Sequence, residues 1–403
     1  MLYRELLTSE LNNQSSDFQN YAREQAGDLH LYLGALRRVE KLGGAAIREK
    51  LADAKNVGAI PADELERQQS FTFSFDENWS NHEQARRWAT QILENRTTFA
   101  ADGSQLYAEK ETSLPIGAIQ IGWFENPHNA EIGYEKNARF FVLSPEKLLA
   151  QDEPVVPETK VGQYRFEAEI DKAKEFLEKK SGWQQRGERM PLAFYDGTLL
   201  LSTPHPDSGV QETFTNKLVE LVRFSKATQV PIIGYVDRSY ARDLLTMLGN
   251  FGAKTENGKK SLHDATILNA ANENFAPVLG SWGDRTCFCF ADRRGLSAFI
   301  EPETGKSLVG FTYLQTTAES APARIDVPAW IYEQGLLDEI LNVIRAECVI
   351  GLGYPYALET ADQTALITVR DREVFLRALQ DFAKTNNLNF SVSRKNASKG
   401  RRR

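Results

Sequence analysis

Two stretches of this sequence place an aspartate immediately after an apolar run that is typical of a β-strand. Asp102 ends the first run, in Phe99-Ala-Ala-Asp-Gly-Ser, and Asp196 ends the second, in Phe194-Tyr-Asp-Gly-Thr-Leu. A charged segment with helical spacing lies between them and carries Glu169. Parallel strands lie about 4.8 Å apart and end at the same edge of a sheet, where open α/β sheets place their sites. The pattern therefore predicts three carboxylates at one sheet edge.

Such a cluster has a specific chemical use. Two carboxylates about 5 Å apart repel each other by roughly 3 kcal/mol at an effective dielectric constant of about 20. A fold that builds the cluster normally binds divalent metal there, often for chemistry on phosphodiesters. A single Asp-Gly-Ser sequence is usually only a turn. The repetition of the pattern on both sides of an acidic helix is what favours a site.

The composition limits the class of protein. The chain has 403 residues, of which 41% are apolar, so it can form one large domain or two to three ordinary ones. No apolar run is long enough for a transmembrane helix, the N-terminus does not resemble a signal peptide, and no P-loop motif occurs. The cysteines, Cys287, Cys289 and Cys348, are too few for a disulfide framework. We therefore expect a cytoplasmic protein with reduced thiols and no membrane partner.

The order of the predicted elements indicates a fold class. Residues 1 to about 68 read as helical, and the elements that follow are a helix at 81–94, strands near 98–102, 115–124 and 138–144, a helix at 164–180, a strand at 192–202, a helix at 213–226 and a strand at 230–236. This succession predicts an α/β fold with a ribonuclease-H-like mixed sheet and flanking helices. The N-terminal helical region and several later elements would be additions to this core. The later elements are strands near 286–291, 297–301 and 308–315 and helices at 239–248, 329–346 and 370–385.

Five short motifs occur in a fixed order between residues about 95 and 370. They are Phe99-Ala-Ala-Asp-Gly-Ser, Tyr164-Arg-Phe-Glu-Ala-Glu-Ile, Tyr195-Asp-Gly-Thr-Leu, Pro231-Ile-Ile-Gly-Tyr-Val-Asp-Arg-Ser and Gly353-Tyr-Pro-Tyr-Ala-Leu-Glu-Thr-Ala-Asp. As a set they resemble the NurA-type nucleases, partners of the HerA translocase in DNA-end processing. The resemblance implies a ribonuclease-H-like fold, a homodimer, docking to a HerA-like hexameric ATPase, and manganese-dependent 5′→3′ exonuclease and single-strand endonuclease activity on DNA.

The resemblance also assigns the metal ligands. Asp102 and Asp196 match two family aspartates, and the Arg-x-x-x-Glu spacing selects Glu169 as the helical ligand. Because a helix turns about 100° per residue, Glu167 and Glu169 cannot both face the site. Glu167 is therefore the alternative to Glu169 as the helical ligand. Asp362 occupies the position of a usual family histidine. We expect it to act as a fourth acid, and the alternative is a helix-terminal charge that interacts with the dipole.

The expected cofactor is Mn²⁺ or Mg²⁺, since carboxylate oxygens suit these ions better than zinc. Two ions about 4 Å apart would be bridged by Asp102, activate a water and stabilise the leaving 3′ oxygen.

Three further residues are predicted to bind DNA. Arg238 follows the Gly-Tyr-Val strand, next to Asp237, which stands where many family members have lysine and reads as a helix N-cap. Tyr195 and Tyr354 would stack on bases of a single strand, and packing inside the protein is the alternative for both.

We divide the chain into an N-terminal helical region packed on the core (1–95), a nuclease domain (96–390) and a basic disordered tail (391–403). The tail contains six Lys and Arg residues and no acid, so it is either a solubilising segment or a nucleic-acid tether. Two other functions stay open: cleavage of RNA or DNA junctions on the same fold, and an inactive or weakly active scaffold that binds a translocase.

Overall fold

The computed structural model describes residues 3–68, 70–107, 112–149, 158–201, 209–253, 262–270, 277–317 and 320–391. The helices are α1 Arg4–Asn13, α2 Ser15–Leu42, α3 Gly44–Leu51, α4 Glu64–Gln68, α5 His82–Leu93, α6 Pro145–Leu148, α7 Glu158–Lys180, α8 Gly209–Thr228, α9 Asp243–Gly249, α10 Asp264–Asn269, α11 Ala329–Glu333, α12 Leu337–Ile350, α13 Tyr356–Ala365 and α14 Val369–Thr385. The strands are β1 Gly58–Pro61, β2 Thr72–Phe73, β3 Thr98–Leu106, β4 Gly117–Asn126, β5 Glu135–Leu143, β6 Leu192–Asp196, β7 Ile232–Val236, β8 Arg285–Thr286, β9 Cys289–Asp292, β10 Val309–Leu314 and β11 Ala323–Pro328.

The chain forms two compact units, each made from two separate segments. The first unit contains residues 1–78 and 236–327, and the second contains residues 79–235 and 328–403. The division that we predicted from the sequence instead follows the chain, with boundaries at residues 95 and 390. The basic tail from residue 392 onward lies outside the described residues.

The second unit is built on strands in the order β7-β6-β3-β4-β5. The long strands β3, β4 and β5 are antiparallel, whereas β6 runs parallel to both β3 and β7. Numbered along the chain within this unit, the order is 5-4-1-2-3, which is the ribonuclease-H-like arrangement. The predicted fold class is thereby confirmed.

Helices cover both faces of this sheet. On one face α7 buries Ile170, Ala173, Phe176 and Leu177, and the ring of Phe176 stacks on Phe99 of β3 at a centroid distance of 4.5 Å. On the opposite face α13 lies so close to β4 that a Cβ atom at Gly122 would come within 2.4 Å of the Ala365 backbone nitrogen. Glycine at this position therefore permits the close approach of α13.

The first unit combines helices α1–α4 with strands in the order β1-β9-β10-β11, and β8 joins β10 to β2. The helical prediction for residues 1–68 is wrong at β1, which pairs antiparallel with β9. Four residues show no periodicity of their own, and their partner strand comes far later in the sequence. The predicted strand at 297–301 is also wrong, because Ser297–Phe299 form a single 3₁₀ turn and Ile300 makes only an isolated bridge to Ser307.

Two predicted helices begin or end differently. The helix expected at 329–346 is interrupted at Gly335, whose φ of 72° ends α11 before α12 begins. The helix expected at 239 begins only at Asp243, so Asp237 is not its N-cap. The Asp264 carboxylate instead accepts hydrogen bonds from Leu244 N and Leu245 N in the first turn of α9. In the described part of the chain, no helix is long and apolar enough to cross a membrane.

Candidate active site

The two aspartates lie on neighbouring parallel strands. Ala101 of β3 pairs with Tyr195 of β6, so the next residues along each strand are Asp102 and Asp196. Asp196 in turn pairs with Tyr235 of β7. Gly197 has a φ of 124°, a conformation that glycine adopts readily, and its N–H donates to the Tyr235 carbonyl at 2.9 Å. The chain thus turns directly after Asp196 and leaves its side chain exposed at the sheet edge.

Gly103 of β3 leaves room for two side chains of α7 to pack against the strand. A Cβ atom at Gly103 would come within 2.4 Å of Glu169 Oε1 and within 2.7 Å of Arg165 Cγ. Arg165 Nη1 donates to the Gly103 carbonyl at 2.8 Å and lies 3.4 Å from Glu169 Oε1. The Arg165 and Glu169 side chains therefore reach β3 next to Asp102, at Gly103, the one residue of β3 without a side chain.

Burial raises the pKa of two acids in this cluster. For Asp102 the pKa rises to about 6, and the nearby charges of Asp196 and Asp362 act in the same direction, while a backbone hydrogen bond from Gly103 opposes them. For Glu169 the pKa rises to about 8, because burial and the Asp102 and Asp196 charges outweigh the favourable charge of Arg165. Both shifts favour the protonated form of these two acids, and nearby positive charge would favour the ionised form.

The fourth carboxylate comes from α13. Asp362 is exposed, and its carboxyl group shares a hydrogen bond with Asp102. Gly122, which pairs with Asp102 across the β3–β4 ladder, allows α13 to approach this part of the sheet. The structure thus brings together Asp102, Glu169, Asp196 and Asp362.

A buried glutamate connects the two elements that carry Asp102 and Asp362. Glu347 of α12 is 1% exposed, accepts a hydrogen bond from Thr98 Oγ1 of β3 at 2.7 Å and accepts another from the Ala357 N–H of α13 at 2.9 Å. Our sequence reasoning missed Glu347, since nothing in its local sequence distinguishes it from any helical glutamate. It also gave no role to Arg165, although its position four residues before Glu169 puts both on one helix face.

The other predicted residues have different surroundings. Glu167 is partly exposed and accepts a hydrogen bond from Gln163 Nε2 at 2.9 Å. Tyr195 is partly buried, and burial together with the Glu169 charge raises the pKa of its phenol. Tyr354 packs edge-to-face on Tyr235, with its hydroxyl 3.4 Å from Asp196 Oδ1. Arg238 is exposed in the first unit, directly after β7.

The donor set suits a divalent cation of the Mn²⁺ or Mg²⁺ type. All four side chains offer carboxylate oxygens, the ligands that these ions prefer. Glu169 Oε1 is buried and has no hydrogen-bond partner. Among the described residues no three acidic, His or Cys side chains already surround one point as a formed metal site would.

Comparison with known proteins identifies the family. A family model for the NurA domain matches residues 96–367, a span that contains all four carboxylates. No curated protein sequence matches significantly. Solved structures that are similar include a crystal structure of NurA with manganese, at 10% identity over 79% of this chain and 95% of that chain with a TM-score of 0.39. A crystal structure of an endonuclease V from Bacillus subtilis is similar at 12% identity, over 78% of this chain and 97% of that chain, with a TM-score of 0.30. Since the domain match covers well over half of the sequence, the chain belongs to the NurA family of nucleases.

Proposed function

We propose that this protein is a DNA nuclease that uses Mn²⁺ or Mg²⁺ to hydrolyse phosphodiesters during the processing of DNA ends. The observation that carries the proposal is the electrostatic contact of Asp102 with Asp196, Asp362 and Glu169, the last of which has a buried Oε1 without a hydrogen-bond partner. A cluster of this charge destabilises the protein unless it serves a cation, and hydrolysis of phosphodiesters is the reaction for which such clusters are suited.

Each acidic residue has a role in this proposal. Asp102 is in electrostatic contact with both Asp196 and Asp362, which supports a central role for it in holding the ions. Glu169 and Asp196 would bind from α7 and β6, and Asp362 from α13. When bound, the ions would supply Lewis-acid activation of water and stabilisation of the leaving oxygen. Arg165, tied to the Gly103 carbonyl, holds β3 and Glu169 in their mutual positions.

We propose 5′→3′ exonuclease and single-strand endonuclease activities, for which family membership is the support. Arg238 is exposed and available to contact a phosphate. The Tyr354 hydroxyl lies 3.4 Å from Asp196 Oδ1, and Tyr195 directly precedes Asp196 in β6. A nucleotide bound at Asp196 would therefore meet an aromatic ring.

Two protein partners are also proposed. Family membership supports docking to a HerA-like hexameric ATPase. The edge strand β5 supports a homodimer, because Phe140, Phe141 and Val142 near its end are 46%, 37% and 50% exposed, and exposed apolar residues on an edge strand favour association with another chain. The buried free thiols of all three cysteines support a reducing, cytoplasmic location.

The decisive experiment compares cleavage of linear single-stranded DNA, double-stranded DNA and RNA, labelled at either end, with Mn²⁺, with Mg²⁺ and with EDTA. We expect metal-dependent cleavage of DNA, and its loss in Asp102→Asn and Asp196→Asn, which keep the shape of the side chain but remove the charge. Glu167→Gln is the matched control and should cleave as the wild type does.

Binding of Mn²⁺ measured by calorimetry gives a second readout that does not depend on turnover. Wild-type activity in EDTA, or full activity of Asp102→Asn, would contradict the proposal. Metal binding without cleavage of any substrate would instead support a scaffold, and cleavage of RNA alone a ribonuclease.

A further inference from the structure

The first unit exposes an aromatic pair that has no part in the acidic cluster. Tyr240, in the loop that follows β7, is 75% exposed, the highest exposed fraction of the tyrosines in the part of the chain that the structure describes. Its ring meets the imidazole of His263 at a centroid distance of 4.9 Å and an interplanar angle of 86°. A ring this exposed keeps most of its surface open to a ligand, although one side rests on a second aromatic group.

The backbone beneath this pair is fixed by hydrogen bonds. His263 Nδ1 is 3.1 Å from the Tyr240 carbonyl, the Asp264 N–H donates to the Ala241 carbonyl at 2.9 Å, and Arg242 Nη1 donates to the Leu262 carbonyl. The loop also closes on itself, since the Ala241 N–H donates to Ser239 Oγ at 3.2 Å. The two rings are therefore held by one frame of hydrogen-bonded backbone.

The frame itself is anchored in the core of the first unit. Asp264 is fully buried, and its carboxylate accepts the Leu244 and Leu245 N–H groups and the Tyr313 hydroxyl, the last at 3.1 Å. A pre-organised aromatic side chain loses little conformational freedom when a ligand binds, which increases the affinity that its contact area can give. An exposed ring on a fixed backbone is therefore suited to stacking against a ligand.

The charge around the platform indicates the class of ligand. Arg238 is exposed two residues before Tyr240, and Arg242 lies two residues after it. Arg242 donates to the Leu262 carbonyl, so the exposed Arg238 is the arginine available to a phosphate. An exposed ring with an exposed arginine close by in the chain suits a single nucleic-acid strand, in which bases stack on rings and phosphates pair with cations.

We propose that Tyr240 and His263 form a base-stacking platform for single-stranded DNA, with Arg238 contacting an adjacent phosphate. The choice of DNA rests on the proposed function, whereas the platform does not require the acidic cluster to be catalytic. A docking surface for a protein partner is the competing interpretation of the same exposed ring.

The test measures binding of a fluorescent oligo-dT strand by anisotropy, in EDTA, so that no cleavage occurs. Loss of a stacked base costs roughly 1–3 kcal/mol, so Tyr240→Ala should weaken binding about 5- to 160-fold. Tyr240→Phe, which keeps the ring, should bind within about twofold of the wild type. Tyr21→Ala is the matched control, because Tyr21 is also in the first unit and is 51% exposed, but on helix α2.

Two further measurements keep the outcome unambiguous. A strand containing 5-iodouracil should cross-link to Tyr240 or His263 on irradiation, and hydrolysis of bis(p-nitrophenyl) phosphate with Mn²⁺ should be unchanged in Tyr240→Ala. Equal DNA binding by Tyr240→Ala and Tyr21→Ala, with no cross-link to either ring, would overturn the platform and favour a protein partner. Weaker binding by Tyr240→Ala in a protein that cleaves nothing would keep the platform while the proposed nuclease function failed.

Discussion

Glu169→Gln should stabilise the metal-free protein at alkaline pH. The Glu169 carboxyl is 11% exposed, its Oε1 lacks a hydrogen-bond partner, and Arg165 approaches it only to 3.4 Å. These features raise its pKa from 4.5 to about 8, chiefly through burial. A shift of that size corresponds to at most roughly 5 kcal/mol, and we expect about 2–4 kcal/mol because neighbouring acids, Asp102 above all, adjust when Glu169 ionises.

The sign follows from proton linkage. Below pH 4.5 the glutamate is protonated in both the folded and the unfolded state, so its full contribution to stability is present. Between pH 4.5 and about 8 the unfolded chain releases the proton while the folded protein retains it, and the free energy of unfolding falls as pH rises. Glutamine cannot ionise, so Glu169→Gln should match the wild type near pH 4.5 and exceed it at pH 9.

The assay is urea denaturation of the metal-free proteins between pH 4.5 and 9, with Glu167→Gln as control. Glu167 is partly exposed on the same helix and should leave the pH dependence of the wild type unchanged. Mn²⁺ should stabilise the wild type at pH 8 more than it stabilises Glu169→Gln, because the variant lacks one ligand. Parallel curves for the wild type and Glu169→Gln over the whole pH range would refute the reasoning.

We make four other predictions. Gly103→Ala should reduce Mn²⁺ affinity measured by calorimetry at least tenfold, because its Cβ would occupy the space of Glu169 Oε1 and Arg165 Cγ. Asp362→Ala should lower turnover by about a hundredfold with little change in DNA affinity, and Asp362→His should retain part of the manganese activity; normal turnover of the alanine variant would remove Asp362 from the site. Glu347→Gln should lower the denaturation free energy by about 1–3 kcal/mol, since an amide cannot accept both of its buried donors. Deletion of residues 392–403 should weaken DNA binding and reduce its salt dependence, and an unchanged salt slope would make the tail a solubilising segment.

The sequence predicted the second unit more accurately than the first. Strands β3, β4, β5, β6 and β7 each contain an apolar run, and they follow one another with turns or helices between them, so their pairing follows from their order. The first unit depends on pairings such as β1 with β9, which join segments far apart in the chain. Short strands with distant partners leave no periodic signal in either segment. The sequence prediction also missed β11.

The same distinction holds within the site. The sequence by itself determined that Asp102 and Asp196 lie side by side on neighbouring parallel strands, because this position depends only on strand order and parallel pairing. The predicted strand ends are less accurate, since β3 continues past Asp102 to Leu106, whereas β6 ends at Asp196 and not at residue 202. Only the tertiary structure decided that Glu169 rather than Glu167 approaches them, and that Asp362 joins from α13. Both outcomes depend on close approach of a helix to the sheet at a glycine, Gly103 for α7 and Gly122 for α13. How closely a helix packs, and which of its faces meets the sheet, is set by the whole surrounding core, which no local pattern of residues encodes.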